Sequence, residues 1–227
     1  MIKNRTVQLI YYTAYCTLGI IGSVACLGIF DNVNLIRWDF YTYFTNISNF
    51  LCLGVMALGL IETIKKKDDS PVSAAPVLKF IGMLGILLTF LVFNFVLAGA
   101  EGRDPQLNWR IGSILFHVIL PIMYIADWFL FYERKKCKWY YPLLSATFPL
   151  GYAVFLIIHA AILQFNSSIL IPTGTAPLIY PYFFVNFETQ GPLGVLGWIL
   201  LLAVVFIAVG FGFFGLDKLG KASNDDS

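Results

Sequence analysis

Residues 78–99 read LKFIGMLGILLTFLVFNFVLAG, and this stretch decides the class of fold. At about 1.5 Å per residue, a helix of that length reaches roughly 33 Å, enough to cross a hydrocarbon core of about 30 Å. Lys79 is its one charge and stands at the start. The rest can enter lipid only as a helix, with every backbone N–H and C=O bonded internally. Working outward, further apolar runs of similar length occupy 7–29, 42–63, 111–132, 142–163 and 193–215. The composition agrees, with 59% hydrophobic and 12% charged residues. That balance excludes a soluble globule and leaves no basic surface for nucleic acid. The expected fold is all-α: an integral membrane bundle of six transmembrane helices forming a single domain over 1–221, with a disordered cytoplasmic tail at 222–227.

The charges orient this bundle. Lys3, Arg5, Lys65, Lys66, Lys67, Lys79, Arg134, Lys135, Lys136, Lys138, Lys218 and Lys221 fall on one side, twelve of the fifteen Lys and Arg residues. Arg37, Arg103 and Arg110 fall on the other, so the positive-inside rule puts both termini in the cytoplasm. The first run follows basic residues but is too long for the core of a secretory signal, and the charge alternation needs it retained. Cys16, Cys26 and Cys52 lie in spans and Cys137 on the cytoplasmic side, so no disulfide framework is expected. The longest connection, 164–192, is apolar and proline-rich and is expected to fold over the outer end of the bundle as a cap or to lie at the membrane interface. Compact loops of this kind suit a bacterial plasma membrane.

Polar groups inside such helices are expensive, so their positions carry information. Counting at about 1.5 Å per residue from the outer ends puts Thr45 roughly 6 Å deep, Asn94 roughly 8 Å, His117 roughly 9 Å and His159 roughly 6 Å. The four lie at one level on four helices. Thr42, Thr45, Asn46 and Asn49 follow an i, i+3, i+4, i+7 spacing that gathers them on one stripe. A histidine meeting a threonine hydroxyl there could act as a base while the oxygen attacks an acyl carbonyl, with Asn46, Asn49 or Asn94 as oxyanion donors. The plainer alternative is that the threonine bonds back to its own helix and the asparagines join helices. Two histidines without a convergent carboxylate or thiolate make no metal site, and no cofactor is expected. Asp127, roughly 24 Å along its helix from the outer end, is expected to take a basic or aromatic partner near Trp128.

Four motifs then occur in order: Tyr43-Phe44-Thr45-Asn46-Ile47-Ser48-Asn49; His117-Val118-Ile119-Leu120-Pro121 with Asp127-Trp128; Gly151-Tyr152 followed by His159; and Tyr180-Pro181-Tyr182-Phe183. Together they resemble the androgen-induced protein and androgen-dependent TFPI-regulating protein family, most closely its bacterial six-helix relatives. The resemblance spans nearly the whole chain. It implies a membrane hydrolase of fatty acid esters of hydroxy fatty acids or similar acyl esters, with Thr45 as nucleophile and His117 as base. For His159 and Tyr180 it implies at most a supporting or substrate-positioning role. The partner it implies is a membrane lipid or acyl ester. A non-catalytic lipid-binding protein or a small-molecule transporter is the alternative; a transporter is expected to carry polar groups on through the midplane.

Overall fold

The computed structural model of the chain describes residues 1–29, 39–70, 72, 74–99, 104–166 and 178–219. Among them all regular structure is helical, and six helices are long and apolar enough to cross a membrane. These are α1 (Arg5–Cys26), α2 (Phe44–Lys65), α3 (Pro76–Leu97), α4 (Ile111–Leu130), α5 (Tyr141–Phe165) and α6 (Phe187–Leu219). They coincide with the expected runs, and the shifted ends have local causes. Asn4 caps α1 by accepting a hydrogen bond from the Val7 N–H at 3.0 Å, which starts the helix among polar residues that an apolar count omits. In α6 the backbone breaks at Gly191, at φ 64° and ψ 166°. Glycine adopts that conformation without strain, and Pro192 then opens the long apolar stretch.

The tail 222–227 and residues 167–177 of the long connection lie outside the described residues. The described part of that connection, 178–186, folds back on the bundle. Phe183 and Phe184 pack on Trp198, with ring centroids 5.6 and 6.2 Å away, and Tyr182 meets Tyr43 at 6.4 Å.

Helices α1 to α4 form one unit in which α1 and α3 each pack on both α2 and α4. Helices α5 and α6 pack on each other and lean on α3. The interior is aromatic, with Tyr12, Tyr15, Phe80, Phe116, Tyr124 and Trp128 all buried. Gly22 lets α1 approach α4 closely: a Cβ there would stand 2.5 Å from the Phe116 ring.

One end of the bundle gathers the start of α1, the end of α6 and two connections. The Ile2 N–H donates to Leu130 O at 2.7 Å. The Arg5 guanidinium donates to Thr63 O and Ile64 O, satisfying carbonyls in the last turn of α2. The buried Asp217 carboxylate accepts the N–H groups of Lys135 and Cys137 at 3.0 and 3.1 Å, and Lys218 Nζ donates to Cys137 O at 2.9 Å. We refer to this as the basic end.

The Asp217 clasp has a consequence for Cys137. Burial pushes that thiol up to about 11, so little thiolate exists near neutrality. At pH 8, N-ethylmaleimide is expected to modify Cys137 about 100-fold more slowly than a free thiol. Asp217→Ala, which removes the acceptor for both loop N–H groups, should accelerate the reaction at Cys137 by at least tenfold, read by peptide mass spectrometry. Equal rates in the two proteins would refute the clasp.

Lys79, tallied above with the loop cations, is only 3% exposed and pairs with Asp127, which is fully buried. The basic partner of Asp127 thus comes from the first turn of α3. The neighbouring Trp128 ring is covered instead by the Arg134 guanidinium at 4.3 Å.

Candidate functional site

The polar layer at the opposite end is organised by Pro121. Having no N–H, it cannot serve the carbonyls four and five residues earlier, those of His117 and Phe116. The helix responds locally with a π turn over Leu115–Ile119, in which the Leu120 N–H reaches back to Leu115 O. The two carbonyls left over find side-chain donors on neighbouring helices. Asn49 Nδ2 of α2 donates to Phe116 O at 3.0 Å, and Asn94 Nδ2 of α3 donates to His117 O at 2.9 Å. Asn94 itself lies in a second π turn, Phe93–Leu97. The two wide turns face one another.

The same amides also bond within their own helices: Asn49 donates to Thr45 O at 2.8 Å and Asn94 to Phe90 O at 2.8 Å. Asn46 donates to Phe40 O at 2.6 Å, in the short turn that precedes α2. An amide NH₂ has two hydrogens, so both donors of Asn49 and of Asn94 are committed. For Asn49 and Asn94 the oxyanion role is therefore not what this geometry provides; they brace helices, whereas Asn46 commits one of its two amide hydrogens. Of the expected stripe, Thr45, Asn46 and Asn49 lie on α2, with the two asparagines buried and Thr45 half-buried; Thr42 is buried too but belongs to the short turn Phe40–Thr42 before the helix. Ser48 joins α2 to α3 through Thr89, with hydroxyl oxygens 2.9 Å apart.

A test of this bracing uses Pro121. Asn94→Leu should cost about 1–3 kcal/mol of unfolding free energy by orphaning His117 O. In a Pro121→Ala background, where a backbone N–H returns, the same change should cost less than half as much in reversible detergent unfolding. Equal costs in both backgrounds would refute it.

His117 stands at the centre of this layer. Its Nδ1 lies 2.9 Å from Ser113 O and 3.3 Å from Ser113 Oγ. A carbonyl oxygen only accepts, so Nδ1 carries the proton, and in the neutral ring Nε2 is the basic nitrogen. The ring lies flat on Phe93, centroids 3.5 Å apart and planes 11° from parallel, which fixes its orientation. Thr45 is tied to the same layer through Asn49, whose one amide bonds both Thr45 O and the carbonyl just before His117.

Thr45 also sits in the first turn of α2, where N–H groups without helical partners and the positive end of the helix dipole lie together. Tyr182 Oη accepts the Phe44 N–H at 3.1 Å, capping this turn from a residue far along the chain. Burial pushes the Tyr182 hydroxyl up to about 12, so it keeps its proton. The Tyr152 hydroxyl donates to Thr42 O at 2.6 Å and anchors α5 to the same place.

His159 and Tyr180 belong to a separate cluster. His159 Nε2 donates to Leu178 O at 3.0 Å, and its ring meets Tyr41 and Phe155 at 5.7 and 6.0 Å. Tyr180 Oη accepts from Gln164 Nε2 at 2.7 Å. A groove of about 380 Å³ lies elsewhere, lined by residues of α2, α3 and α5 and by neither Thr45 nor His117.

Sequence reasoning passed over Ser113, Phe93 and the effect of Pro121. Two of these had a signal: Ser113 stands one turn before His117, and Pro121 one turn after it. The capping role of Tyr182 had none, since the contact depends on how the long connection returns. No group of three or more potential metal ligands occurs among the described residues. Comparison of the chain with protein-family models, with curated proteins and with solved structures yields no match.

Proposed function

We propose that this chain is a multi-pass hydrolase of lipid esters, with Thr45 as nucleophile and His117 as base, as its resemblance to the androgen-induced protein family implies. The substrate class is fatty acid esters of hydroxy fatty acids or similar acyl esters. Both termini are cytoplasmic and the membrane is a bacterial plasma membrane, so the reaction takes place in the outer-leaflet half.

The observation that supports this reading best is the commitment of His117 Nδ1 to Ser113 O, which makes Nε2 the basic nitrogen in the layer that holds Thr45. Thr45 Oγ1 attacks the ester carbonyl as Nε2 takes its proton. The tetrahedral intermediate collapses, the acyl carbon–oxygen bond to the hydroxy acid breaks, and that alkoxide takes the proton from Nε2. Water, deprotonated by Nε2, then cleaves the acyl-threonine and returns the hydroxyl. The positive end of the α2 dipole and the second amide hydrogen of Asn46, the residue after Thr45, take the oxyanion role, since both hydrogens of Asn49 and of Asn94 are committed.

The test is turnover of a panel of such esters by the purified full chain in detergent. Hydrolysis that appears with wild type and disappears in Thr45→Ala and His117→Ala of matched thermal stability is the expected result. Folded wild type without turnover would overturn the reading.

A second reading, movement of a proton or small polar solute, is favoured by one observation. Buried polar groups continue below the layer: Asn49 Oδ1 and the Tyr15 hydroxyl have no partner among the described residues, Tyr124 Oη donates to Lys79 O at 3.3 Å, and the Lys79–Asp127 pair lies beyond. Proteoliposome proton flux that Asp127→Asn abolishes would favour this reading over the hydrolase.

A further inference from the structure

The groove between α2, α3 and α5 is distinct from the Thr45–His117 layer. Ile47 and Leu51 line it from α2. They leave the helix about 200° around from Thr45 and Asn49, because positions two residues apart lie on opposite sides. Leu78 and Ile81 of α3 contribute to the lining, and Thr147, Phe148, Gly151, Tyr152 and Phe155 of α5 complete it.

Its wall is mainly apolar. Of the two hydroxyls on it, Thr147 Oγ1 donates to Leu144 O at 2.6 Å and Tyr152 Oη to Thr42 O at 2.6 Å. Both are turned into backbone. The groove also lies on segments with the length and composition to cross a membrane, where the surrounding solvent is hydrocarbon. Gly151 leaves the space open: a Cβ there would have no heavy atom within 4 Å. From Thr147 to Phe155 the groove runs roughly 12 Å along α5, and its volume of about 380 Å³ lies at the lower end of ligand-binding cavities. Just beyond its Phe155 end stand two polar aromatics, the His159 ring at 6.0 Å and the Tyr41 ring at 6.2 Å from that of Phe155.

We infer that this groove binds one acyl chain of a single-chain membrane lipid, with the polar end of that lipid towards His159 and Tyr41. The site is independent of ester cleavage and stands whether or not Thr45 is a nucleophile. It also gives His159 a role that the Thr45–His117 layer does not use.

The experiment is photolabelling of the full chain in lipid nanodiscs with palmitic acid bearing a mid-chain diazirine, followed by peptide mapping. Label is expected on the α2 and α5 peptides that carry Ile47, Leu51, Phe148 and Phe155, displaced by excess unlabelled palmitate. Gly151→Phe, which projects a ring into open space, should reduce that label at least tenfold with an unchanged melting temperature. If Gly151→Phe misfolds, the smaller Gly151→Leu carries the same test and should reduce label at least threefold. Thr45→Ala should leave labelling intact, which separates failure of this site from failure of the hydrolase reading. Label spread evenly over the lipid-facing sides of α1 and α6, or label indifferent to the Gly151 variants, would mean annular lipid only and would overturn the inference.

Discussion

Lys79→Met and Asp127→Leu are each expected to destabilise the protein by about 3–5 kcal/mol, while the double variant loses far less. The side chains are 4% and 0% exposed, so removing one partner leaves a full charge with almost no access to water. Helix geometry raises the stakes. Lys79 lies near the start of α3 and Asp127 near the end of α4, and each therefore sits at the pole of its own helix that repels its charge. Neither residue is placed to gain from its backbone, so the pair depends on its mutual attraction. The pair ties α3 to α4 next to the basic end, and a cation–aromatic approach of Lys79 Nζ to the Tyr12 ring, 6.0 Å from its centroid, brings α1 to the same place. Equilibrium unfolding of the four proteins of the double-mutant cycle gives the coupling directly. Additive losses would show that the pair contributes nothing as a pair, and the packing of Tyr12 and Tyr124 would then have to account for the stability of this region.

The class of fold was legible because lipid imposes one rule on backbone polar groups, and runs such as 78–99 have only one way to obey it. Lys79 shows where that reading stops. A charge two residues inside an apolar run reads as a loop neighbour, and only the antiparallel packing of α3 on α4 reveals that Asp127 waits opposite it. That Asn94 and His117 meet was also legible, since rise per residue counts them to one level; His159, counted to the same level, lies in a separate cluster. What Asn49 and Asn94 bond is determined by Pro121 on a third helix, through carbonyls that a sequence does not display. The groove was not legible at all. It exists because α2 and α5 flank α3 with a glycine at position 151 between them, and such a gap is a property of packing rather than of any run of residues.

Loss of ester hydrolysis by at least about a thousandfold is the outcome expected for both Thr45→Ala and His117→Ala, with the double variant scarcely worse than either. Residues that act as one unit fail together, since a threonine without a base and a base without a threonine both leave the attack undone. Thr45→Ser separates chemistry from fold, because it keeps the hydroxyl and removes only a methyl group. It should retain activity within about tenfold of wild type and form the same covalent acyl adduct, which intact mass spectrometry detects at early times. His117→Asn tests the imidazole more narrowly than alanine does. The Nδ2 of asparagine can replace the bond from Nδ1 to Ser113 O, as Asn49 and Asn94 do to the carbonyls four residues before them, but it is not basic, so the variant should fold like wild type and hydrolyse as poorly as His117→Ala. A variant at either position that melts normally and keeps full turnover would remove that residue from the mechanism. If both did so, the π turn at Leu115–Ile119 and its asparagine braces would stand as architecture alone, and the acyl-chain groove would become the principal ligand site of the protein.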